Sequence, residues 1–326
     1  MAMIIKKAMP TNSSVAAISM ADKWQVINQS GLPSKFSYLN LAIMDINNKG
    51  EVLGILPAVQ GSYGFVASFS KVSDKAGNIA IQQANRGLGK GVIGMAINDN
   101  SQVVGSYVTN DGKEHAFVQT NGNLKDLGTL GNSDYSIAYD INNCGQIVGE
   151  SNGHGFVSSS GLMKGLGDNI VTKSINDSGQ ITGNQRVVIN GIEHQHAFIA
   201  DNNDIKDLGT LGGGDSTANK INAAGQVVGS SETAHGDLHA FTTINGVMTD
   251  LNSLIDPKTL TDPSTIDPLT SAPLVLDLKL QNAISINDKG VVLVAGYSAK
   301  GRYHTFLLAP AFQYKINQTQ KCSVQG

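Results

Sequence analysis

Ser136-Ile-Ala-Tyr-Asp-Ile-Asn142, Gly145-Gln-Ile-Val-Gly149, His154-Gly-Phe156-Val157 and then Leu166 make one round of a pattern that the chain repeats. Each piece is a short run of β-formers bounded by Asn, Gly or Ser, which reads as four strands of one antiparallel sheet. The Ile-Asn dipeptide that closes the first strand returns at Asn47, Asn98, Asn142, Asn176, Asn222 and Asn287. Each copy is followed by an aromatic strand carrying Phe65, Phe117, Phe156, Phe198, Phe241 or Phe306. Those six are most of the nine Phe, so the aromatic core is spread at one residue per unit. Periods of this length belong to solenoids and propellers.

The turn between the first two strands explains two of the recurrent residues. Gly50, Gly145, Gly179, Gly225 and Gly290 stand three positions after the Asn, and Ser101 is the exception. Asn starts a turn with its side chain and Gly takes the left-handed position of a bulged hairpin. A second glycine follows at Gly54, Gly105, Gly149, Gly183 and Gly229; in the sixth unit it is displaced to Gly296, which predicts a bulge in that unit's second strand. Phe117 to Leu127, Phe156 to Leu166, Phe198 to Leu208 and Phe241 to Leu251 are each ten residues apart. Such constancy means a fixed register, because a slip of one residue turns every side chain to the wrong face.

A lone four-stranded sheet cannot cover both of its faces, whereas radial stacking covers them and leaves only short edges. The expected fold is therefore all-β: a six-bladed β-propeller of four-stranded antiparallel blades over residues 22–312. Trp24-Gln25-Val26-Ile27 reads as the strand that closes the last blade beside Phe306. Residues 1–21 read as a disordered leader or remnant, and 313–326 as a C-terminal tail. The insertion 253–280, with Pro257, Pro263, Pro268 and Pro273, reads as a flap on the loop face.

A formal net charge of −3 and a pI near 6.1 argue against a nucleic-acid partner. No apolar run approaches the roughly 18 residues of a membrane span. Cys144 occupies a variable turn position and reads as an exposed thiol, with a disulfide to Cys322 as the alternative.

Ala218-Asn-Lys-Ile-Asn-Ala-Ala-Gly-Gln-Val-Val-Gly229, His196-Ala-Phe198 and Asp207-Leu-Gly-Thr-Leu-Gly-Gly213 resemble the bacterial extracellular repeat family named after its His-Ala-Phe (HAF) motif. The closing pattern also matches: Asp250-Leu-Asn-Ser-Leu254, Ala283-Ile-Ser-Ile-Asn-Asp-Lys-Gly290 and Phe306-Leu-Leu-Ala-Pro310. The resemblance spans residues 22–312. It implies export, with an extracellular or periplasmic location, and a repeat scaffold; it brings no catalytic residue.

Five of the seven histidines, His115, His154, His196, His239 and His304, are motif residues. Recurring once per unit, they are spread around the array and are expected to tie the third strand to a neighbouring turn. His194 and His196 lack a third zinc ligand, and the Asp45 and Asp140 segments lack the alternating oxygens of a calcium loop. No nucleophile elbow or phosphate loop occurs, so no catalytic residue, metal or cofactor is assigned.

Binding is expected where the units differ. Asp45, Tyr139, Asp140, Lys173 and Lys220, on the innermost strands, would border the channel mouth. Arg186, His194, His235, Arg302 and Tyr303 would lie on the face formed by the second-to-third-strand and inter-blade loops. The resulting expectation is a secreted, monomeric binding module for a glycan or protein. Two alternatives stand beside it: a polysaccharide lyase or hydrolase with a carboxylate at the channel entrance, and an interaction scaffold for a host or envelope protein.

Overall fold

The computed structural model describes residues 3–8, 16–20, 23–27, 42–56, 63–70, 80–131, 134–201, 204–255, 261–266, 273–275, 278–298, 301 and 303–310. Three N-terminal strands come first: β1 (Met3–Ala8), β2 (Ala16–Met20) and β3 (Lys23–Ile27). Sheet one is β4 (Ala42–Ile46), β5 (Glu51–Leu56), β6 (Tyr63–Ser70) and β7 (Ala80–Lys90). Sheet two is β8 (Val92–Ile97), β9 (Val103–Val108), β10 (Glu114–Thr120) and β11 (Asn123–Gly128). Sheet three is β12 (Ser136–Ile141), β13 (Ile147–Ser151), β14 (His154–Ser159) and β15 (Leu162–Gly165). Sheet four is β16 (Ile170–Ile175), β17 (Ile181–Ile189), β18 (Ile192–Asp201) and β19 (Asp204–Asp207). Sheet five is β20 (Gly212–Ile221), β21 (Val227–Thr233), β22 (Leu238–Ile244) and β23 (Val247–Asp250). A hairpin of β24 (Thr261–Ile266) and β25 (Pro273–Val275) lies within the 253–280 insertion, whose residues 256–260, 267–272 and 276–277 fall outside the described set. Sheet six is β26 (Leu278–Ile286), β27 (Val292–Ser298), β28 (Tyr303–Pro310) and β1. The fold is thus all-β with six four-stranded antiparallel sheets, whose strands are called A to D in sheet order below.

The chain divides into two compact units. Ser13–Asp168 carries sheets one to three, and Met1–Asn12 with Asn169–Gly326 carries sheets four to six. In each unit the core lies between consecutive sheets. Phe117 packs with Leu53 and Val66 of sheet one, and Phe156 with Val104 and Ala116 of sheet two. In the other unit Phe241 packs with Ala197 of sheet four, and Phe306 with Val228 and Ala240 of sheet five. Phe117, Phe156, Phe198, Phe241 and Phe306 are all 0% exposed. One aromatic ring therefore fills each of these four gaps, which is why the third-strand Phe recurs.

Every strand A slips by one residue against strand B, at Met44, Met95, Tyr139, Lys173, Asn219 and Ile284. The bulge pushes a strand-A carbonyl towards strand B. A Cβ on Gly105, Gly149, Gly183 or Gly229 would collide with the carbonyl oxygen of Ile93, Ile137, Val171 or Thr217, respectively. This is the reason for the second recurrent glycine. In sheet six the expected bulge in strand B is absent; both slips lie in β26, at Gln281 and Ile284, and Gly296 stands opposite Leu280.

The N-terminus departs further from expectation. β1 borders β28, with Met3 opposite Pro310 and Ala8 opposite Phe306, whereas Trp24–Ile27 pairs with β2 instead. Residues 1–21, expected to be disordered, thus include two strands. An open sheet edge accepts backbone partners of any sequence, and Met3-Ile4-Ile5 is an apolar segment that no repeat could flag. The tail 313–326 lies outside the described residues. Cys144 is disulfide-bonded, which corrects the expectation of a free thiol. Among the described residues no helix is long and apolar enough to cross a membrane.

Candidate functional site

The recurrent polar residues are engaged first. Each Asn side-chain oxygen accepts two backbone N–H groups, two and four residues on, at 2.9–3.1 Å. Its amide then donates to the carbonyl of the Asn in the following sheet: Asn47 to Asn98, Asn98 to Asn142, Asn176 to Asn222 and Asn222 to Asn287, at 2.9–3.1 Å. A second donation goes to Gln102, Gln146, Gln180 or Gln226 within the same turn. All four bonding directions of a primary amide are used in Asn98, Asn176 and Asn222. The turn glycines hold φ of 74° to 81°, the left-handed region expected for them.

The motif histidines are engaged as well. Nδ1 of His115, His196 and His239 lies 2.9, 2.8 and 2.7 Å from the carboxylates of Asp126, Asp207 and Asp250 on strand D or its end. Each of those carboxylates also accepts a turn N–H, from Gly128, Gly209 and Asn252. His154 makes the looser, exposed pair with Asp168 at 3.4 Å, and His304 stacks on Phe306. Burial opposes ionisation of Asp126, but its bonds from His115 and the Gly128 N–H prevail and hold the carboxyl below its ordinary value.

The channel-mouth candidates turn out to contact backbone or one another's sheets. Asp45 accepts the Ile97 N–H of sheet two at 2.8 Å, and Asp140, 4% exposed, accepts the Ile141 N–H at 3.1 Å. Tyr139 is the bulged residue of β12 and donates its hydroxyl to Glu150 at 3.2 Å. Burial, then the Glu150 charge, pushes its phenol well above the usual range. Lys173 and Lys220 lie half-buried on β16 and β20, at the bulge and just after it. Asp45, Tyr139 and Asp140 belong to one unit, and Lys173 and Lys220 to the other.

The loop-face candidates lie on the hairpins that join strands B and C. Arg186 and His194 are both on the β17–β18 hairpin; Arg186 is 3.5 Å from Glu193, and His194 is 3.4 Å from Asp215 of β20. His235 is exposed in the β21–β22 turn, where its N–H donates to Thr233. Tyr303 meets Tyr297 across β27–β28, ring centroids 5.3 Å apart at 62°. Arg302 lies outside the described residues.

Sequence reasoning missed a second ladder beside the Asn one. Asn48, Asp99 and Ala223 donate their N–H groups to the side chains of Asp99, Asn143 and Asp288, each one sheet further on. The signal was the Asn or Asp that follows most Ile-Asn pairs. It also missed Ser136 and Ser216, whose hydroxyls accept the Ala116 and Ala197 N–H groups of the preceding sheet and donate to Gly128 and Gly209. Among the described residues no three His, Cys, Asp or Glu side chains form a metal-sized group.

Among the described residues, the large hydrophobic side chains left exposed are Val108, Leu162, Val188, Ile189, Ile192, Leu238, Val247, Tyr297 and Tyr303. Seven of these nine, all but Leu162 and Val247, stand on B–C hairpins.

Residues 167–324 match a protein family described as a protein of unknown function, DUF3466. No curated protein matches the chain. Among solved structures, the β-propeller domain of the Trilobed protease from Pyrococcus furiosus, described as having an open velcro topology, is similar over 94% of this chain and 93% of that one, at 9% identity and TM-score 0.50. TolB from Acinetobacter baumannii (13% identity, TM-score 0.39) covers 86% of this chain, which spans 66% of TolB's length. A putative TolB from Agrobacterium tumefaciens covers 84% and 91%, at 12% identity and TM-score 0.44. The likeness to the protease domain shows a β-propeller fold and carries nothing about activity.

Proposed function

We propose that the six sheets are the blades of one β-propeller and that it binds a protein partner through its B–C hairpins. The observation that carries the reading is the concentration of exposed Val, Ile, Leu and Tyr on those hairpins, seven of nine among the described residues, while the recurrent polar groups hold sheets together. Exposed apolar groups gathered at one kind of loop mark interaction surfaces better than scattered ones do. The single ring is supported by the alignment with a propeller domain along 94% of the chain, and β1 beside β28 would supply its seal. An exported location, together with membership of the HAF repeat family, is part of the same reading. The disulfide at Cys144 supports export, because such bonds persist in oxidising compartments.

A glycan is the less favoured ligand: aliphatic tips give sugars few hydrogen bonds, and the Tyr297–Tyr303 pair is edge-on instead of a flat platform. Catalysis has no anchor in Asp45 or Asp140, whose carboxylates accept backbone N–H groups. The test uses three proteins: the natural chain, a B–C variant (Val188→Ser, Ile192→Ser, Tyr303→Ser) and a C–D control (Leu162→Ser, Val247→Ser). Each is applied to a glycan array and to cross-linking pull-down. The expected result is a protein captured by the natural chain and the control but not by the B–C variant. Capture that ignores the B–C changes, or retention on glycans alone, would refute the reading.

A further inference from the structure

Sheet four differs from its neighbours in the length of its B–C hairpin. β16 begins with Ile170 opposite Gln185, yet β17 and β18 reach beyond that pair through Arg186–Gln195, Val187–His194, Val188–Glu193 and Ile189–Ile192. Asn190 and Gly191, at φ 53° and 80°, close this arm with the two-residue turn that suits a twisted hairpin. The pleat puts Val187, Ile189, Ile192 and His194 on one face, and Arg186, Val188, Glu193 and Gln195 on the other.

Among the described residues the arm is anchored at its base. His194 approaches Asp215, and its ring presses on Gly214 so closely that a Cβ there would collide with it. The Gln195 N–H donates to Asp215 at 2.8 Å, and Glu232 accepts the Gly214 N–H at 3.1 Å. Beyond that base, Val188 is 66% exposed, Ile192 61% and Ile189 43%. Sheet five adds Leu238, 45% exposed, on its own B–C hairpin. A two-stranded projection with a β-branched tip in water is marginal by itself, so its apolar tip calls for a cover.

The charges around the tip select the cover. Glu193, Asp215, Glu232 and Asp237 supply four carboxylates at the B–C ends of sheets four and five. Among the described residues two cations answer them, Arg186 at Glu193 and Lys279 at Asp237, and the His194 imidazole stands at Asp215. The surplus is acidic, which opposes a second copy of the same surface or an anionic membrane and favours a basic one. We propose that the arm and the sheet-five hairpin together take a peptide segment whose apolar side chains are flanked by Lys or Arg. This rests on the protein-binding reading and names the chemistry of the partner.

The experiment titrates the full chain against three fluorescein-labelled peptides that share an alternating Val/Leu core and carry Lys, Ser or Glu flanks. Fluorescence anisotropy is read at low and high salt. The Lys-flanked peptide should bind best, with affinity falling as salt rises. Ile192→Ser should weaken it about ten-fold, the worth of one buried aliphatic side chain. The paired change Glu193→Gln and Asp237→Asn should reduce the preference for Lys flanks while leaving the Ser-flanked peptide unaffected. Unchanged melting of the variants shows that they fold. Equal binding of all three peptides, or insensitivity to Ile192→Ser, overturns the proposal, as does self-association of the chain that Ile192→Ser abolishes. Failure to bind any peptide, with pull-down still dependent on the B–C residues, overturns this inference alone and leaves the broader reading standing.

Discussion

Asn222→Ala tests the principal bond between sheets. Asn222 is 3% exposed and makes four bonds: from the N–H groups of Ala224 and Gln226 to its oxygen, and from its amide to Gln226 and to the Asn287 carbonyl of sheet six. Alanine removes all four and leaves two N–H groups, the Asn287 carbonyl and the Gln226 side-chain oxygen to find other partners. At about 1 kcal/mol for each neutral bond, with more where a group stays buried and unpaired, the loss is about 3–5 kcal/mol. That is a large share of the roughly 5–15 kcal/mol that holds a domain folded. Asn222→Asp separates the two roles. It keeps the two accepted N–H bonds but sets a carboxylate against the Asn287 carbonyl, so it should cost at least as much at neutral pH and less in acid. The assay is urea unfolding followed by circular dichroism, with Asn245→Gly as the control. Asn245 is an exposed turn residue at φ 53°, where glycine is tolerated at a cost of a few tenths of a kcal/mol. If Asn222→Ala costs less than about 1 kcal/mol, the amide ladder does not hold the sheets together.

Other outcomes follow from the same packing. Phe198→Ala, at a fully buried ring, should cost about 3–5 kcal/mol in urea titration. Gly149→Ala should destabilise by about 1–3 kcal/mol or more, because the new methyl meets the Ile137 carbonyl and the Phe156 ring together. The Asp126 carboxyl should titrate in NMR below an ordinary aspartate. Its depressed pKa means its stabilisation is present above the unfolded-state value and is lost as pH falls through the folded one. Glu51→Gln should destabilise by leaving Arg86 without its counter-charge, and Arg86→Gln added to it should recover much of the loss; additive effects in the double-mutant cycle would contradict the coupling.

The parts of the fold that sequence reveals are those that solve one local problem many times. The Asn at the turn, the left-handed glycine and the third-strand Phe each answer a steric or burial demand internal to a sheet, so they recur and can be counted. The bulge at Met44, Tyr139 and their equivalents recurs equally, but the residue types there differ, since a bulge constrains backbone and not side chain. Its only trace is the glycine on the facing strand. The N-terminal pairing left no trace at all: β1 occurs once, and its partner edge on β28 selects for backbone bonding alone. The bond at Cys144 stood only as the alternative to a free thiol, because cysteine spacing carries no geometry.

The departures from the repeat are informative because they depart together. The first unit has Glu51 where the next four have Gln, and the second has Ser101 where all others have Gly. These two are neighbours: the Ser101 hydroxyl donates to Glu51 at 2.5 Å, and Glu51 also accepts the Asn47 amide at 2.6 Å. Arg86 donates to the Ser101 carbonyl at 2.5 Å, and the Glu51 charge favours its guanidinium against the cost of burial. Ser101 bears a φ of 59°, a strain that glycine would avoid, and its bond to Glu51 offsets it. The two exceptions therefore form, with Arg86, one polar network between sheets one and two, a structural substitute for the usual Gln and Gly. The same test separates scaffold from function elsewhere. Asp45 stands at a position where the sheets differ and is bonded into the next sheet, whereas Val188, Ile189 and Ile192 extend past the first residue of β16 into water. A departure that the scaffold does not reabsorb is where selection for something outside the chain has a place to act.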